Sequence, residues 1–109
     1  MRWKVKFFQT AKGDYPVKDF IERLERSGYL KAFRTIRVLE KFGPFIQPPY
    51  AKKIQGALYE LRIVGKDSIR IFYTQKKSTY YLLHAFKKKT QKTPMKDMQI
   101  ALDRLPKII

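Results

Sequence analysis

Residues 58–86, LYELRIVGKDSIRIFYTQKKSTYYLLHAF, decide the fold. Three runs in this stretch are rich in β-branched and aromatic residues: Leu58–Val64, Ser68–Thr74 and Thr79–Phe86. Gly65-Lys66-Asp67 separates the first two and Gln75-Lys76-Lys77-Ser78 the last two, and links this short predict antiparallel hairpins running as a meander. Alternation within the runs assigns faces. Tyr59, Leu61 and Ile63 share one side and Glu60 and Arg62 the other; in the next run Ile69, Ile71 and Tyr73 oppose Arg70, Phe72 and Thr74. Matching the more apolar faces puts Arg62 and Arg70 on the same side of neighbouring strands.

Working outward, Trp3, Val5 and Phe7 alternate with Arg2, Lys4 and Lys6, a period of two that predicts a half-buried first strand. After Gly13-Asp14-Tyr15-Pro16, the residues Val17, Phe20, Ile21 and Leu24 recur at helical spacing up to Ser27-Gly28. Leu30, Phe33, Ile36, Leu39 and Phe42 form a second stripe that ends at Gly43-Pro44, so two short helices pair. Prolines make residues 45–50 an irregular connector. Beyond the hairpins, Thr93 as N-cap and Pro94 in the first turn open a last helix with Met98, Ala101, Leu102 and Leu105 on its apolar face, stopped by Pro106. The expected fold class is α+β in the order β-α-α-β-β-β-α, an antiparallel sheet packed by a helix pair and a C-terminal helix. Residues 1–109 read as one domain, without repeats or low-complexity runs.

Twenty-five Lys and Arg face nine Asp and Glu, giving +16. Residues 1–49 carry eleven basic and five acidic side chains, and residues 50–109 fourteen and four. A Lys-rich thermophile-type surface is normally balanced by Glu, and here it is not. The excess predicts a polyanionic partner, with nucleic acid first because counterion release favours phosphate backbones. The absence of cysteine excludes disulfides, thiol nucleophiles and Cys-based metal sites, and a single histidine, His84, excludes the common multi-histidine ones. No cofactor is expected. The longest uncharged stretch, Phe42 to Ala51, is ten residues broken by three prolines, and the charged start does not read as a signal peptide. A cytoplasmic protein with no membrane partner is the expectation.

Two readings stand for Glu60, Arg62 and Arg70. One is a sheet-surface ion pair; the other is a phosphate clamp, since paired guanidinium donors match phosphate oxygens. The charge favours the clamp. Lys87, Lys88, Lys89 and Lys92 follow the last strand and are expected to complete a basic RNA-binding cleft, with Lys52 and Lys53 bordering it. His84 reads first as a half-buried structural residue, and second as a general acid or base. Tyr50, Tyr59, Tyr73, Tyr80 and Tyr81 read as core or cross-strand residues, one of which could stack on an unpaired base.

Three segments carry a family resemblance: Leu58-Tyr59-Glu60-Leu61-Arg62, Arg70-Ile71-Phe72-Tyr73, and Leu82-Leu83-His84-Ala85-Phe86 with the lysines and Thr90-Gln91-Lys92-Thr93-Pro94 that follow. The chain resembles the RelE/ParE superfamily, and within it the HigB-like, phage-derived branch, as do Pro16-Val17-Lys18-Asp19-Phe20 and Ile100-Ala101-Leu102-Asp103-Arg104. The resemblance implies a RelE-like fold and the toxin of a type II toxin–antitoxin system: a metal-independent endoribonuclease that cuts mRNA on the ribosome and inhibits translation. It implies a helix-turn-helix, HigA-like antitoxin as partner, with operator DNA reached only through that antitoxin. Glu60, Arg62, Arg70 and Lys88 fall on the positions the resemblance marks as catalytic, with a lysine of the cluster or Glu60 as base. Ribonuclease members often place a tyrosine or histidine late in the chain; after Pro94 this sequence has neither. The ParE branch poisons gyrase instead, and a non-catalytic nucleic-acid-binding module is the third reading. Lys31, Arg34, Arg37 and Lys41 recur at helical spacing, and the antitoxin is expected to dock on or beside that stripe.

Overall fold

The computed structural model describes residues 3–65, 67–92 and 94–108. These form five strands, three α-helices and two short 3-10 turns: β1 (Lys4–Phe7), α1 (Pro16–Glu22), α2 (Arg26–Phe42), β2 (Ala51–Gln55), β3 (Leu58–Ile63), β4 (Ile69–Lys76), β5 (Thr79–Lys87) and α3 (Met95–Arg104), with the 3-10 turns after α2 and α3. The radius of gyration is 12.8 Å, as expected for a close-packed body of this length.

The hairpins form as the alternation predicts. β3 pairs antiparallel with β4, bringing Arg62 opposite Arg70 and Tyr59 opposite Tyr73. The sheet is larger than expected, in the order β1-β5-β4-β3-β2. Lys52 and Lys53, which the sequence places only at the border of the basic cleft, lie in an additional edge strand, β2, paired with Glu60 and Tyr59. A run as short and polar as Ala-Lys-Lys-Ile-Gln has no period of its own, and it becomes a strand because β3 supplies the ladder. The sheet is also mixed rather than purely antiparallel, since β1 runs parallel to β5.

The helices cover both faces. Val17 and Ile21 of α1, with Ala32, Ile36 and Leu39 of α2, bury against Leu61, Ile63, Ile71 and Leu82. On the other face α3 places Ala101, Met98 and Leu102 against Leu58, Phe72, Leu83 and Phe86. The helix boundary differs from the sequence reading. α1 ends at Glu22 and α2 starts at Arg26, so Ser27 and Gly28 lie within α2 and Gly28 is buried. The apolar stripe of α2 is also split: Ile36 and Leu39 are buried, whereas Leu30, Phe33 and Phe42 are exposed. Pro94 is the N-cap of α3, so the helix starts one residue later than expected; the Thr93 cap and Lys66 of the β3–β4 turn lie outside the described residues.

β5 contains a bulge. Phe72 pairs with His84 while Tyr73 pairs with Leu82, so Leu83 is the extra residue. Tyr80 and Leu82 join the α1/α2 core, whereas Leu83 and Phe86 join the α3 core. Simple alternation from Leu82 would point His84 at the helix pair. The bulge turns it to the α3 face, alongside Arg70 and Phe72.

Gly43 ends α2 at φ 52°, ψ −123°, a conformation L side chains rarely adopt. A Cβ there would clash with the Trp3 ring. Gly43→Ala is therefore expected to cost about 1–3 kcal/mol in backbone strain alone, with the Trp3 clash added. Gly56→Ala, at φ 54° with nothing within 4 Å, should cost less. Denaturant unfolding of both variants measures the difference.

Candidate functional site

The α3 face of the sheet carries a row of polar groups. Glu60 on β3 is wholly buried, which an ionised carboxylate tolerates only with charged partners. Arg62 Nε donates to Glu60 Oε1 at 3.2 Å, and Arg70 Nε stands 3.9 Å from the same oxygen. Arg70 also donates through a terminal nitrogen to the Ile69 carbonyl at 3.1 Å. Burial pulls the Arg70 guanidinium below its ordinary range, Glu60 opposes that shift, and Arg62 adds to it. Two cations share one buried anion here, so the cluster keeps positive charge to offer outward. Arg62, with a third of its side chain exposed, is the outer member. Glu60 Oε2 and Arg70 Nε make no hydrogen bond among the described residues.

The row continues onto β5. Arg70 pairs with Phe86 and Phe72 with His84, which makes Arg70 and His84 a diagonal pair on one face, about 7–8 Å apart by sheet geometry. His84 Nε2 lies 2.6 Å from Asp97 Oδ1 on α3, and its ring stacks on Phe86 at 5.8 Å. Burial moves the His84 pKa below its ordinary 6.5, with Arg104 adding to the shift; the bond to Asp97 and its charge oppose it without overcoming it. The imidazole is thus neutral near pH 7, donating Nε2–H to Asp97 and keeping Nδ1 as an acceptor. Arg104 fixes the bulge from α3 by donating to the Leu83 carbonyl at 2.7 Å.

The lysines divide among several surfaces. Lys52 pairs with Glu60 across β2–β3 and so belongs to the arginine face. Lys53 pairs with Tyr59 and belongs to the opposite face, not to the same cleft. Lys87, opposite Ile69, points to that opposite side; at the stretch of β5 that β1 does not cover, it lines an open groove of about 840 Å³ together with Arg23 and with His84 and Arg104 from the other face. Lys88 is half-buried and extends the β4–β5 ladder by donating its N–H to the Ser68 carbonyl at 2.9 Å. Lys89 and Lys92 are exposed in the loop before α3. The expected single basic cleft therefore reduces, on this face, to Arg62, Arg70 and Lys52, with Lys88 at the strand end. Asp97 was not among the sequence candidates. It lies thirteen residues from His84, and only the bulge brings the two together.

Among the described residues no group of three or more His, Cys, Asp or Glu could hold a metal ion, and no helix is long and apolar enough to cross a membrane. Residues 19–106 match the family described as phage derived protein Gp49-like (DUF891). No curated protein matches the chain.

Two outcomes follow from this geometry. Glu60→Gln leaves Arg70 buried without its counter-charge and is expected to destabilise the fold by about 3–5 kcal/mol, while Arg62→Ala costs less because that side chain is partly solvated; chemical denaturation measures both. His84 gives the second. Below pH 6.5 the unfolded chain takes up a proton that the folded chain, with its lower pKa, does not. Stability contributed by neutral His84 is complete above 6.5 and is lost as pH falls through and below that value. Thermal melts from pH 7.5 to 5 should show that decline, and His84→Gln should flatten it.

Proposed function

The chain belongs to the Gp49-like phage-derived family, which is of the RelE/HigB-like toxin type and associated with RNA-cleaving toxins; from that premise we propose that it is the toxin of a type II toxin–antitoxin pair, a HigB-like endoribonuclease acting on ribosome-bound mRNA. The observation that carries this reading is the pair of arginines held on one buried carboxylate, with neutral His84 on the same face.

RNA cleavage without a bound metal needs a base for the 2′-hydroxyl, positive charge at the pentacovalent phosphorane, and an acid for the 5′-leaving oxygen. Arg62 and Arg70 supply the charge. Glu60 orients them, and preorganised cations are worth most where charge develops. Because Glu60 is buried and ion-paired, its role here is positioning rather than proton transfer. Proton transfer falls to His84: its Nδ1, oriented through the Asp97 bond at Nε2, takes the 2′-hydroxyl proton, and the imidazolium so formed returns that proton to the 5′-leaving oxygen as the phosphorane collapses. Lys88 and Lys52 steer the RNA phosphates, with Lys89 and Lys92 extending the basic approach. The ribosome supplies the remaining element, holding the mRNA in line for attack.

The antitoxin, a helix-turn-helix protein, docks on α2 in this reading. That helix exposes Leu30 and Phe33 beside Arg34, Arg37 and Lys41, a combination that suits an acidic amphipathic helix. Operator DNA would then be reached through the antitoxin, leaving the arginine face free.

The test is single-turnover cutting of ribosome-bound mRNA. Arg62→Ala, Arg70→Ala and His84→Gln are each expected to lower the rate about 10²–10³-fold, and wild-type binding to ribosomes should weaken steeply with salt. Intact mRNA with DNA breaks and replication arrest would transfer the reading to gyrase poisoning. Arginine variants that lose only salt-sensitive affinity, with no cutting by wild type, would make the chain a non-catalytic binder.

A further inference from the structure

On the face of the sheet opposite the arginines, three tyrosines from neighbouring strands meet. Tyr59 of β3 stacks on Tyr73 of β4 at 5.5 Å and 22°, and Tyr73 meets Tyr80 of β5 edge-on at 5.7 Å. With Lys53 and Gln75 they line a pocket of about 180 Å³, closed on the other side by Gly43, Pro44 and Ile46. Tyr80 is 2% exposed, and its hydroxyl is buried without a hydrogen-bond partner among the described residues. A buried phenol left unpaired is costly, and native structures keep few such groups without a use. Burial first, then the neighbouring Tyr59, pushes the Tyr80 pKa up to about 12, so the hydroxyl is a standing donor at any physiological pH. Aromatic faces, an apolar wall, a donor inside and a lysine among the lining residues suit a planar ring with acceptors on its edge and an attached anion. The volume is below the roughly 300–1,000 Å³ of sites for drug-sized ligands, which leaves room for one base.

We propose that this pocket binds a single unpaired nucleotide of RNA, its base against Tyr59 and hydrogen-bonded to Tyr80, its phosphate on Lys53. The inference rests on the RNA-cutting reading and assigns that reading a second subsite. β2 is the edge strand of the sheet. Lys52 and Lys53 of this edge both line the pocket, and Lys52 also pairs with Glu60 of the arginine face, so an RNA strand passing over the edge stays within reach of a lysine from one face to the other. Stacking on tyrosine is sequence-tolerant, while the Tyr80 hydroxyl discriminates by the acceptors on the base edge. Base preference at a position away from the cut is therefore set partly at this pocket.

Trp3, the chain's one tryptophan, packs against Gly43 in the pocket wall and reports occupancy by fluorescence. The experiment titrates the full chain with the four nucleoside 5′-monophosphates, inorganic phosphate and a glutamate-rich peptide. At least one nucleotide should change the Trp3 signal saturably, with inorganic phosphate much weaker. Tyr80→Phe should weaken nucleotide binding about tenfold without lowering the melting temperature, because it removes an unpaired hydroxyl and keeps the ring. Lys53→Ala should weaken the nucleotide but not the free nucleoside. On ribosomes, Tyr80→Phe should change which codons are cut and raise KM more than it lowers kcat. No saturable response to any nucleotide, an equal response to phosphate, an unaffected Tyr80→Phe, or binding of the acidic peptide alone would overturn the inference. mRNA cutting without nucleotide binding removes the pocket and leaves the toxin reading intact; nucleotide binding without any mRNA cutting does the reverse.

Discussion

One buried carboxylate organises the arginine face of this protein. Glu60 sits in the middle of β3 with no exposure to solvent, where an unpaired charge could not persist. Arg62 from the same strand and Arg70 from the next meet that requirement, and in doing so they are drawn together although like charges on paired positions repel. A buried ion pair of this kind is weak evidence for stability, because desolvation offsets much of the attraction. What it does fix is the position and direction of two guanidiniums. Arg62 is hydrogen-bonded to Oε1 and Arg70 is ion-paired to it at 3.9 Å; in the proposed reading this pair of cations is what meets the charge of the phosphorane.

The second constraint is the bulge at Leu83, which divides the labour of the sheet. Residues before it keep Tyr80 and Leu82 with α1 and α2; from the bulge onward Leu83, His84 and Phe86 turn to α3. Arg104 donates to the carbonyl of the inserted residue, so α3 both covers the bulge and locks it. The same helix brings Asp97 to His84. One inserted residue thus links the packing of the last helix to the orientation of the only histidine, and gives the two faces different characters. One carries charges, the other tyrosines.

The excess of positive charge is spread around the molecule rather than gathered in a single cleft. Some of it lies on α2 beside exposed Leu30 and Phe33, some along β2, some beyond β5. Under the proposed toxin reading, such a distribution suits a partner that surrounds the protein, as ribosomal RNA would, together with a smaller acidic partner on one helix. The exposed apolar side chains of α2 separate these two uses, since phosphate has no need of leucine or phenylalanine.

The hairpins, the placing of Arg62 and Arg70 on one side of neighbouring strands and the terminal helix were legible in the residues alone, because period-two and period-3.6 patterns are local and each residue carries its own contribution to them. The excess of positive charge was equally legible, since net charge is a sum over residues. The edge strand β2 was not: Lys52 and Lys53 become strand residues only when β3 offers its free edge. The split stripe of α2 was hidden for a related reason, as helical spacing cannot say which of two apolar arcs the sheet will cover. The extra residue in β5 left no local mark either, because Leu82-Leu83-His84-Ala85 reads as a plain apolar run. Only tertiary structure decided that His84 faces Asp97 and that Tyr59, Tyr73 and Tyr80 close a pocket, since register shifts are set by how the whole ladder packs against its helices, not by the residue that moves.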